Sequence, residues 1–277
     1  MKWFIILLLL IPVSVGAEVL WQENFETTPI TQNGPYGGFT VYSADPHTIG
    51  TQTNEDLCDH CGNYSWKYAR GANSGYQDRT GWVLNAHDCG CYQVENTLHF
   101  RMYVKFSSNA AFQCGSSGCP YGIEWKFPDF KTEPSNDRPI LKWRAGGQVN
   151  LYISGSGVDI PEENQPHVQA GKWYVIEFMM HENGSNDIGR IWVASEDDNF
   201  QYTEGNPSGQ EVGNIFKGAE SWDGPAAWWA WYFSNHDTPQ AVNVYVDNFA
   251  IGNSFIGPAE NGVVPLSSSG CFFSTHR

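Results

Sequence analysis

Short apolar segments recur along the chain, separated by clusters of Gly, Asn, Asp, Ser and Pro. Alternation with a period of two is typical of β-strands, and the clusters between segments mark turns. No segment shows the 3.6-residue period of a convincing amphipathic helix. The pattern therefore predicts an all-β chain whose strands are Val19–Phe25, Ser65–Arg70, Gly81–Asn85, Thr97–Phe106, Gly122–Phe127, Ile140–Arg144, Gln148–Ile153, Trp173–His181, Arg190–Ala194, Ala227–Phe233 and Val242–Ile251.

The predicted strands follow one another without a long linker, which favours one domain over residues 18–258. Strands of this number in one domain form a two-sheet sandwich or a barrel. We interpret Thr27–Thr53 and the cysteine-containing stretch 54–93 as long loops, and residues 259–277 as a flexible C-terminal tail.

The N-terminus has the pattern of an export signal. Lys2 precedes the apolar run Phe4–Val13, and Val15-Gly16-Ala17 supplies the small residues that a signal peptidase requires. This predicts a signal peptide over residues 1–17, cleaved before Glu18. The alternative is a membrane anchor, but the run is shorter than the roughly 20 residues that span a bilayer. We expect a secreted, extracellular monomer without a membrane span, either released or held at the cell surface.

The net charge of the chain limits which ligands it can bind. The net charge of −15 disfavours a nucleic-acid partner, because phosphate binding needs a basic surface. Seven of the 15 basic residues nevertheless fall between 101 and 144. A local basic patch in an acidic protein suits an acidic, extended ligand, here an extracellular polysaccharide. The alternative is that these are solubilising residues at strand ends.

The seven cysteines of an exported chain favour disulfides over a zinc site. We predict that the C-x-x-C pair joins the C-x-C pair, that the two cysteines around a Gly/Ser-rich loop join each other, and that one is left over. These are, in order, Cys58 and Cys61, Cys89 and Cys91, Cys114 and Cys119, and Cys271.

The predicted strand Thr97–Phe106 has two different faces. Alternation places Phe100 and its apolar neighbours on one face, which we interpret as a core face. The opposite face carries cationic and aromatic residues that suit a sugar chain, namely His99, Arg101, Tyr103 and Lys105. The alternative is an exposed strand with mixed polar residues.

Two later segments continue this theme. Lys142 and Arg144 share one face of their strand, with Trp143 opposite. In Ala227–Phe233, Trp229 and Trp231 share a face, and their rings suit either a sugar platform or a core.

Three pieces of the sequence resemble the concanavalin A-like jelly roll used by lectins, glucanases and many polysaccharide lyases. They are Trp21-Gln22-Glu23-Asn24-Phe25-Glu26, the stretch from Gly171-Lys172-Trp173 to Ile191-Trp192-Val193, and Val244-Tyr245-Val246-Asp247-Asn248-Phe249. The resemblance implies a two-sheet antiparallel jelly-roll sandwich. It also implies that the first and last strands lie side by side and that the middle piece forms a long hairpin.

A second resemblance concerns activity. Lys126-Phe127-Pro128, Lys142-Trp143-Arg144 and Leu151-Tyr152 look like the catalytic arrangement of alginate- and glucuronan-type polysaccharide lyases. This implies that Lys126, Arg144 and Tyr152 are catalytic. The chain departs from that pattern in having Asp129-Phe130 where such lyases have Gly, and in its short spacing between the Arg and the Tyr.

Lytic cleavage of a uronate chain begins with removal of the proton at C5. Cations beside the carboxylate, here Arg144 with Lys142 or Lys126, stabilise the resulting enolate-like dianion. Tyr152 is the first candidate for the base and His99 the second. Arg101, Tyr103, Lys105, Lys142, Trp229 and Trp231 are the predicted substrate-binding residues.

These features fit more than one function, including that of a structural cell-surface protein whose long loops meet a partner. We predict a secreted polysaccharide lyase for an acidic glycan, with a non-catalytic, lectin-like binding domain as the alternative. Glycoside hydrolysis is disfavoured, because Lys126 stands where glucanases of this fold have the central acid of a Glu-x-Asp strand.

The predicted chemistry requires no cofactor. A structural calcium ion would be held by Glu23 or Glu26 near the first strand together with Asp247 near the last, since carboxylates suit Ca²⁺. The alternative is that these are ordinary solvated acids.

Overall fold

The computed structural model describes residues 19–26, 39–43, 48–58, 61–72, 80–85, 97–113, 125–131, 138–154, 158–181, 183, 186–213, 228–233 and 238–259. Within these ranges the regular structure is β-strand and short 3-10 turns, so the prediction of an all-β chain is confirmed. No helix there is long and apolar enough to cross a membrane. The predicted signal peptide and residues 260–277 of the predicted tail lie outside the described residues.

The described strands are β1 (Val19–Glu23), β2 (Phe39–Ser43), β3 (Thr48–Thr53), β4 (Ser65–Arg70), β5 (Thr80–Asn85), β6 (Thr97–Phe106), β7 (Trp125–Lys131), β8 (Arg138–Trp143), β9 (Val149–Ser154), β10 (Val158–Asp159), β11 (Trp173–His181), β12 (Asp187–Ser195), β13 (Gly209–Gly213), β14 (Trp228–Phe233) and β15 (Val242–Gly252).

The strands form two antiparallel sheets. The eight-stranded sheet has the order β13-β12-β11-β6-β15-β4-β3, with β1 also paired to β15. The seven-stranded sheet has the order β10-β9-β8-β7-β14-β5-β2. The first and last strands are neighbours, and β11 and β12 form a long hairpin whose register runs from Tyr174 opposite Ser195 to His181 opposite Ile188. Both expectations from the jelly-roll resemblance are confirmed.

The main core lies between the two sheets. Strand β6 contributes the apolar face that its alternation predicted, including Phe100 and Phe106. The seven-stranded sheet contributes Leu141 and Trp143 from β8 and Leu151 from β9. The rings of Phe106 and Trp143 meet edge to face, with their centroids 5.0 Å apart. Burying each large side chain stabilises the fold by about 1.5–3 kcal/mol, so this interface holds the sheets together.

Four strands were not predicted, and all four lie at sheet edges. β3 and β13 end the eight-stranded sheet, and β2 and β10 end the seven-stranded sheet. The interpretation of Thr27–Thr53 as a loop is therefore wrong for β2 and β3. Strand β3 reads Thr-Ile-Gly-Thr-Gln-Thr and pairs along its whole length with β4. An edge strand has one neighbour and more contact with water, so it needs no strong apolar pattern.

The motif Lys126-Phe127-Pro128 contains a β-bulge. Lys126 pairs with Lys142, but Asp129 pairs with Ile140, so β7 has one extra residue between these two pairs. Proline has no N–H to donate to a neighbouring strand and is tolerated at such bulges. The register shift explains how Pro128 fits in a strand with neighbours on both sides.

The predicted pairing of Cys58 and Cys61 with Cys89 and Cys91 is wrong. Cys58 and Cys61 are bonded to each other, with their Cα atoms 5.0 Å apart. The Cys61 N–H donates to the Cys58 carbonyl at 3.0 Å, so a tight turn brings the two thiols together. The other five cysteines lie outside the described residues: Cys89, Cys91, Cys114, Cys119 and Cys271.

This disulfide can be tested by peptide mapping. Trypsin cleaves after Lys67 and Arg79, which puts Cys58 and Cys61 on one peptide and Cys89 and Cys91 on another. We expect mass spectrometry of a non-reduced digest to find the peptide that ends at Lys67 with an internal disulfide. A peptide joined to residues 80–101 would show that the cysteines pair as the sequence predicted.

Candidate functional site

The outer face of the eight-stranded sheet is buried. His99, Arg101 and Tyr103 on β6 have exposed fractions of 4%, 1% and 0%. They lie on the side of the sheet away from the main core. A second apolar cluster forms over this face. Its residues come from the disulfide turn, the sheet and the loops after β12 and β15. The buried members are Cys58, Cys61, Tyr103, Trp173, Val175, Ala194, Phe200, Tyr245 and Ala259.

Glu177 on β11 organises the polar part of this face. Its carboxylate is fully buried and accepts four hydrogen bonds. Oε1 accepts from the Ile256 N–H at 2.9 Å and contacts His99 Nδ1 at 2.8 Å. Oε2 accepts from the Tyr202 hydroxyl at 2.8 Å and the Gly257 N–H at 2.9 Å. A buried carboxylate needs such a full set of donors, because it has lost its water.

Arg101 and Tyr103 hold the same C-terminal segment, residues 253–259. Arg101 Nη1 donates to the Gly257 carbonyl at 2.9 Å, and the Ala259 N–H donates to the Tyr103 hydroxyl oxygen at 2.9 Å. The guanidinium carbon of Arg101 also lies 5.8 Å from the centroid of the Tyr103 ring. Together with Glu177, these residues fix residues 253–259 across the outer face of the sheet.

Aromatic side chains pack around the ring of His99. The His99 ring stacks on Trp192 with a centroid separation of 5.9 Å and meets the edge of Phe255 at 6.2 Å. Phe255 in turn contacts Trp192 and Tyr202. His99 therefore lies inside a closed polar and aromatic cluster.

Lys105 lies at the rim of this face, where it forms an ion pair with Asp56. The backbone carbonyl of Asp56 accepts a hydrogen bond from Trp173 Nε1 at 3.1 Å. These contacts attach the segment before the disulfide turn to β6 and β11.

The side chains of His99, Arg101 and Tyr103 thus lie on the predicted face of β6, but that face is buried and not exposed. The three residues share this face, as expected, but the disulfide turn and the loops after β12 and β15 cover it. Their roles in binding a glycan, and that of His99 as a base, stay predictions. Their observed contacts are those of residues that hold the cover in place.

The second group of predicted residues lies in the seven-stranded sheet. Backbone register pairs Lys126 with Lys142 across β7 and β8, and Lys142 with Asn150 across β8 and β9. These three positions form one row across three strands. Tyr152 is opposite Ile140. It lies two residues after Asn150 on β9 and therefore on the same face of the sheet. Arg101 therefore does not share a sheet with Lys126 and Tyr152.

The outer side of β8 carries Lys142. Its strand neighbours Leu141 and Trp143 belong to the main core, so Lys142 lies on the opposite face, where it is 6% exposed. Asn150 is fully buried, and its Oδ1 accepts a hydrogen bond from the Ile160 N–H at 3.1 Å. This outer face and the buried outer face of the other sheet point to opposite sides of the sandwich.

Arg144 is separated from Tyr152 by the geometry of the β8–β9 hairpin. Its N–H donates to the Gln148 carbonyl at 2.8 Å, directly before the turn Ala145–Gly147. Tyr152 lies four residues beyond Gln148 along β9, which at about 3.3 Å per residue is roughly 13 Å. Lys142 is nearer, because it is a diagonal neighbour of Tyr152 at about 7–8 Å between Cα atoms. Of the predicted cations, the register therefore groups Lys126 and Lys142 with Tyr152.

The predicted aromatic pair lies in the same sheet. Trp229 pairs with Phe130 of β7 and Leu84 of β5, and Trp231 pairs with Trp82. Strand β14 is thus next to β7, the strand that carries Lys126.

The residues predicted to hold calcium lie near the junction of the first and last strands. Glu23 pairs with Phe249, two residues from Asp247 on β15, so the expected strand junction is present. Asp247 is fully buried, and its Oδ1 accepts from the Asn248 N–H at 2.6 Å. Glu26 instead accepts hydrogen bonds from the Asn63 and Tyr64 N–H groups. In the described part of the chain no three His, Cys, Asp or Glu residues form a group suited to a metal ion.

Sequence reasoning missed Glu177 and Tyr202. Glu177 occurs in the segment Trp-Tyr-Val-Ile-Glu-Phe-Met-Met, where it is the one charged residue in an otherwise apolar strand. A lone carboxylate inside such a run signals a buried group with specific partners. Tyr202 has no comparable signal, because its position depends on the loop after β12.

Comparisons with known proteins identify the fold. No protein-family model matches the chain, and no curated protein matches it in sequence. Among solved structures, the chain is similar to the marine PL-14 alginate lyase from Aplysia kurodai, with 14% identity and a TM-score of 0.55 over 85% of this chain and 99% of that one. It is also similar to the catalytic domain of a glycoside hydrolase family 131 protein from Coprinopsis cinerea, with 12% identity, a TM-score of 0.53 and coverage of 88% and 98%.

A third similar structure is domain 4 of a GH43 extracellular arabinanase from Geobacillus stearothermophilus, in complex with arabinotriose. It shares 13% identity and a TM-score of 0.50 over 89% of this chain and 98% of that one. Identities at this level show the fold alone. The chain has a jelly-roll fold of the concanavalin A-like type, as the sequence resemblance implied.

The Glu177 network predicts a large stability effect. We expect Glu177→Ala to lower the free energy of unfolding by about 3–5 kcal/mol, because it leaves buried donors without an acceptor. Urea denaturation measures this loss, and hydrogen exchange at the Ile256 and Gly257 amides should become faster. Glu204→Ala, at an exposed loop position, is the control, with an expected change of about 0.5 kcal/mol or less. Equal losses for the two variants would contradict the role of Glu177.

The covered tyrosines predict a loss of stability in alkali. Burial raises the pKa of Tyr103 above the usual value, and burial together with the nearby Glu177 raises the pKa of Tyr202. Above about pH 10 the unfolded chain releases these protons while the folded chain keeps them, so stability falls as pH rises. We expect urea midpoints to decline above about pH 10 less steeply in Tyr103→Phe and Tyr202→Phe variants. Phenolate absorbance of all tyrosines before unfolding would contradict this prediction.

Proposed function

We propose that the chain is an extracellular carbohydrate-active protein that cleaves an acidic glycan by β-elimination on the outer face of the seven-stranded sheet. The observation that carries this proposal is the pairing of Lys126 with Lys142 on adjacent strands, with Tyr152 a diagonal neighbour of Lys142. Two cationic residues in adjacent positions suit an anionic ligand, and a uronate carboxylate is such an anion.

The residues in this row suit the chemistry. The two ammonium groups would neutralise the uronate carboxylate and stabilise the dianion that forms when C5 loses its proton. The Tyr152 oxygen would accept that proton. The C5 electron pair forms a C4–C5 double bond, the C4–O bond breaks, and the leaving oxygen takes up a proton from water or from the Tyr152 hydroxyl that received the C5 proton. The product is a new chain end that carries an unsaturated uronate.

Several further observations support a carbohydrate ligand. One structure of the same fold is an alginate lyase, and another was solved with arabinotriose bound. The aromatic strand β14 lies next to β7, and aromatic rings stack on sugar faces. The disulfide between Cys58 and Cys61 suits an oxidising, extracellular compartment. A binding domain without catalysis is the second candidate, because the arabinotriose complex is of a domain of this fold.

The test is a lyase assay on folded protein. We expect an increase in ultraviolet absorbance from unsaturated uronates with alginate, glucuronan or a related acidic glycan. Tyr152→Phe should lower kcat about 10²–10⁴-fold, as the loss of a general base does. Lys142→Met should lower activity more than Arg144→Met, because the register brings Lys142 nearer to Tyr152. Tyr64→Phe, at an exposed position beside the disulfide turn, is the matched control and should retain activity.

Two results would reject the lyase proposal. The first is no absorbance change across the panel of glycans from protein shown to be folded by circular dichroism. The second is cleavage that Tyr152→Phe leaves unchanged. Binding to a glycan in calorimetry without cleavage, equal in wild type and Tyr152→Phe, would identify the chain as a binding domain.

A further inference from the structure

A pocket of about 320 Å³ lies at the ends of β11 and β12, and it contains neither residue of the lysine row, Lys126 and Lys142. It opens between the segment 166–169 and the adjoining ends of β11 and β12. Its lining comes from three stretches of chain and consists of Pro166, His167, Gln169, Lys172, Tyr174, Val193, Ala194, Ser195 and Asp198. A volume of this size is at the lower end of the range of small-molecule sites.

The wall formed by segment 166–169 is held by backbone hydrogen bonds. The Val149 N–H donates to the Pro166 carbonyl, and the Val168 N–H donates to the Gly147 carbonyl, both at 2.8 Å. On the other side, the Gln169 N–H donates to the Tyr174 hydroxyl oxygen at 3.0 Å. The pocket is therefore largely formed before any ligand enters, which lowers the cost of binding.

Acidic groups outnumber basic ones in and beside the pocket. The ammonium group of Lys172 forms an ion pair with Asp197. The Ser195 hydroxyl donates to Asp198 Oδ2 at 2.9 Å. Two carboxylates thus accompany one lysine, so the pocket has no excess of positive charge to attract a uronate. This distinguishes it from the row of Lys126 and Lys142.

The lining suits the hydroxyl groups of a sugar. Each sugar hydroxyl both donates and accepts, and the pocket offers a carboxylate acceptor at Asp198, amide groups at Gln169 and a hydroxyl at Ser195. Pro166 and Val193 supply apolar surface for the carbon–hydrogen faces of the ring. We propose that this pocket binds one uncharged pyranose unit, as a second saccharide site outside the proposed catalytic face.

This inference does not rest on the lyase proposal. The pocket and the lysine row have no residue in common, so a substitution can remove pyranose binding without removing cleavage, or the reverse. Cleavage without pyranose binding would reject the pocket alone, and pyranose binding without cleavage would reject the lyase alone.

Saturation-transfer NMR tests the pocket with the full-length protein. The probes are methyl glycosides of neutral hexoses, compared with methyl glycosides of uronic acids. We expect at least one neutral glycoside to bind, and Asp198→Asn and Ser195→Ala to weaken its binding roughly tenfold, because hydrogen bonds to a charged acceptor are among the strongest in such sites. Thr51→Ala is the control, since Thr51 is exposed on β3 at the far edge of the same sheet.

Three results would overturn the proposal. They are an absence of binding to every neutral glycoside, binding that the pocket variants do not weaken, and binding of uronic acids alone that Lys172→Met removes. Circular dichroism and urea midpoints of each variant establish that weaker binding is not a loss of fold. The exposed position of Asp198 makes a folding defect in Asp198→Asn small, about 0.5 kcal/mol or less being usual for surface substitutions.

Discussion

The carboxylate of Glu177 accepts four hydrogen bonds in a place with no contact with water, and the shape of one side of the molecule depends on this arrangement. Two of its donors are backbone N–H groups of residues 253–259. A buried carboxylate without donors costs several kcal/mol, and a buried N–H without an acceptor also destabilises the fold. The carboxylate and the C-terminal segment therefore stabilise each other. Arg101 and Tyr103 add further contacts to the same segment, which turns an outer sheet face into a second core.

Both faces of the eight-stranded sheet are covered. The eight-stranded sheet packs against the main core on one side and against residues 253–259 and the disulfide turn on the other. The outer face of the seven-stranded sheet is the other broad β-surface of the sandwich, and Lys142 and Asn150 on it are buried as well. The basic residues between 101 and 144, which form one cluster in the sequence, are thus divided between two opposite faces. Arg101 serves packing, and Lys126 and Lys142 belong to the face on which we propose catalysis.

The sequence was sufficient for the interior of both sheets and insufficient for their edges. Every predicted strand has a counterpart, and all of these except β1, which pairs with β15 alone, are interior strands that bury side chains and so show a clear apolar alternation. The four missed strands end the two sheets, where that requirement is weak. The face of β6 was also predicted correctly, but its surroundings were not. Its cover is 156 residues away along the chain, where Gly257 accepts from Arg101, and local periodicity contains no information about such a distant contact.

The β8–β9 hairpin connects the two sites that we propose. It carries Lys142 and Arg144 on one arm and ends in Gly147, whose φ of 79° favours glycine. A Cβ atom at Gly147 would collide with the Val168 carbonyl oxygen, so the segment 166–169 rests directly on the turn. The β8–β9 hairpin therefore supports the wall of the pocket and also carries Lys142 of the lysine row. The Glu177 network shares none of the residues of either site, so stability, cleavage and pyranose binding can be altered separately by substitutions in three different places.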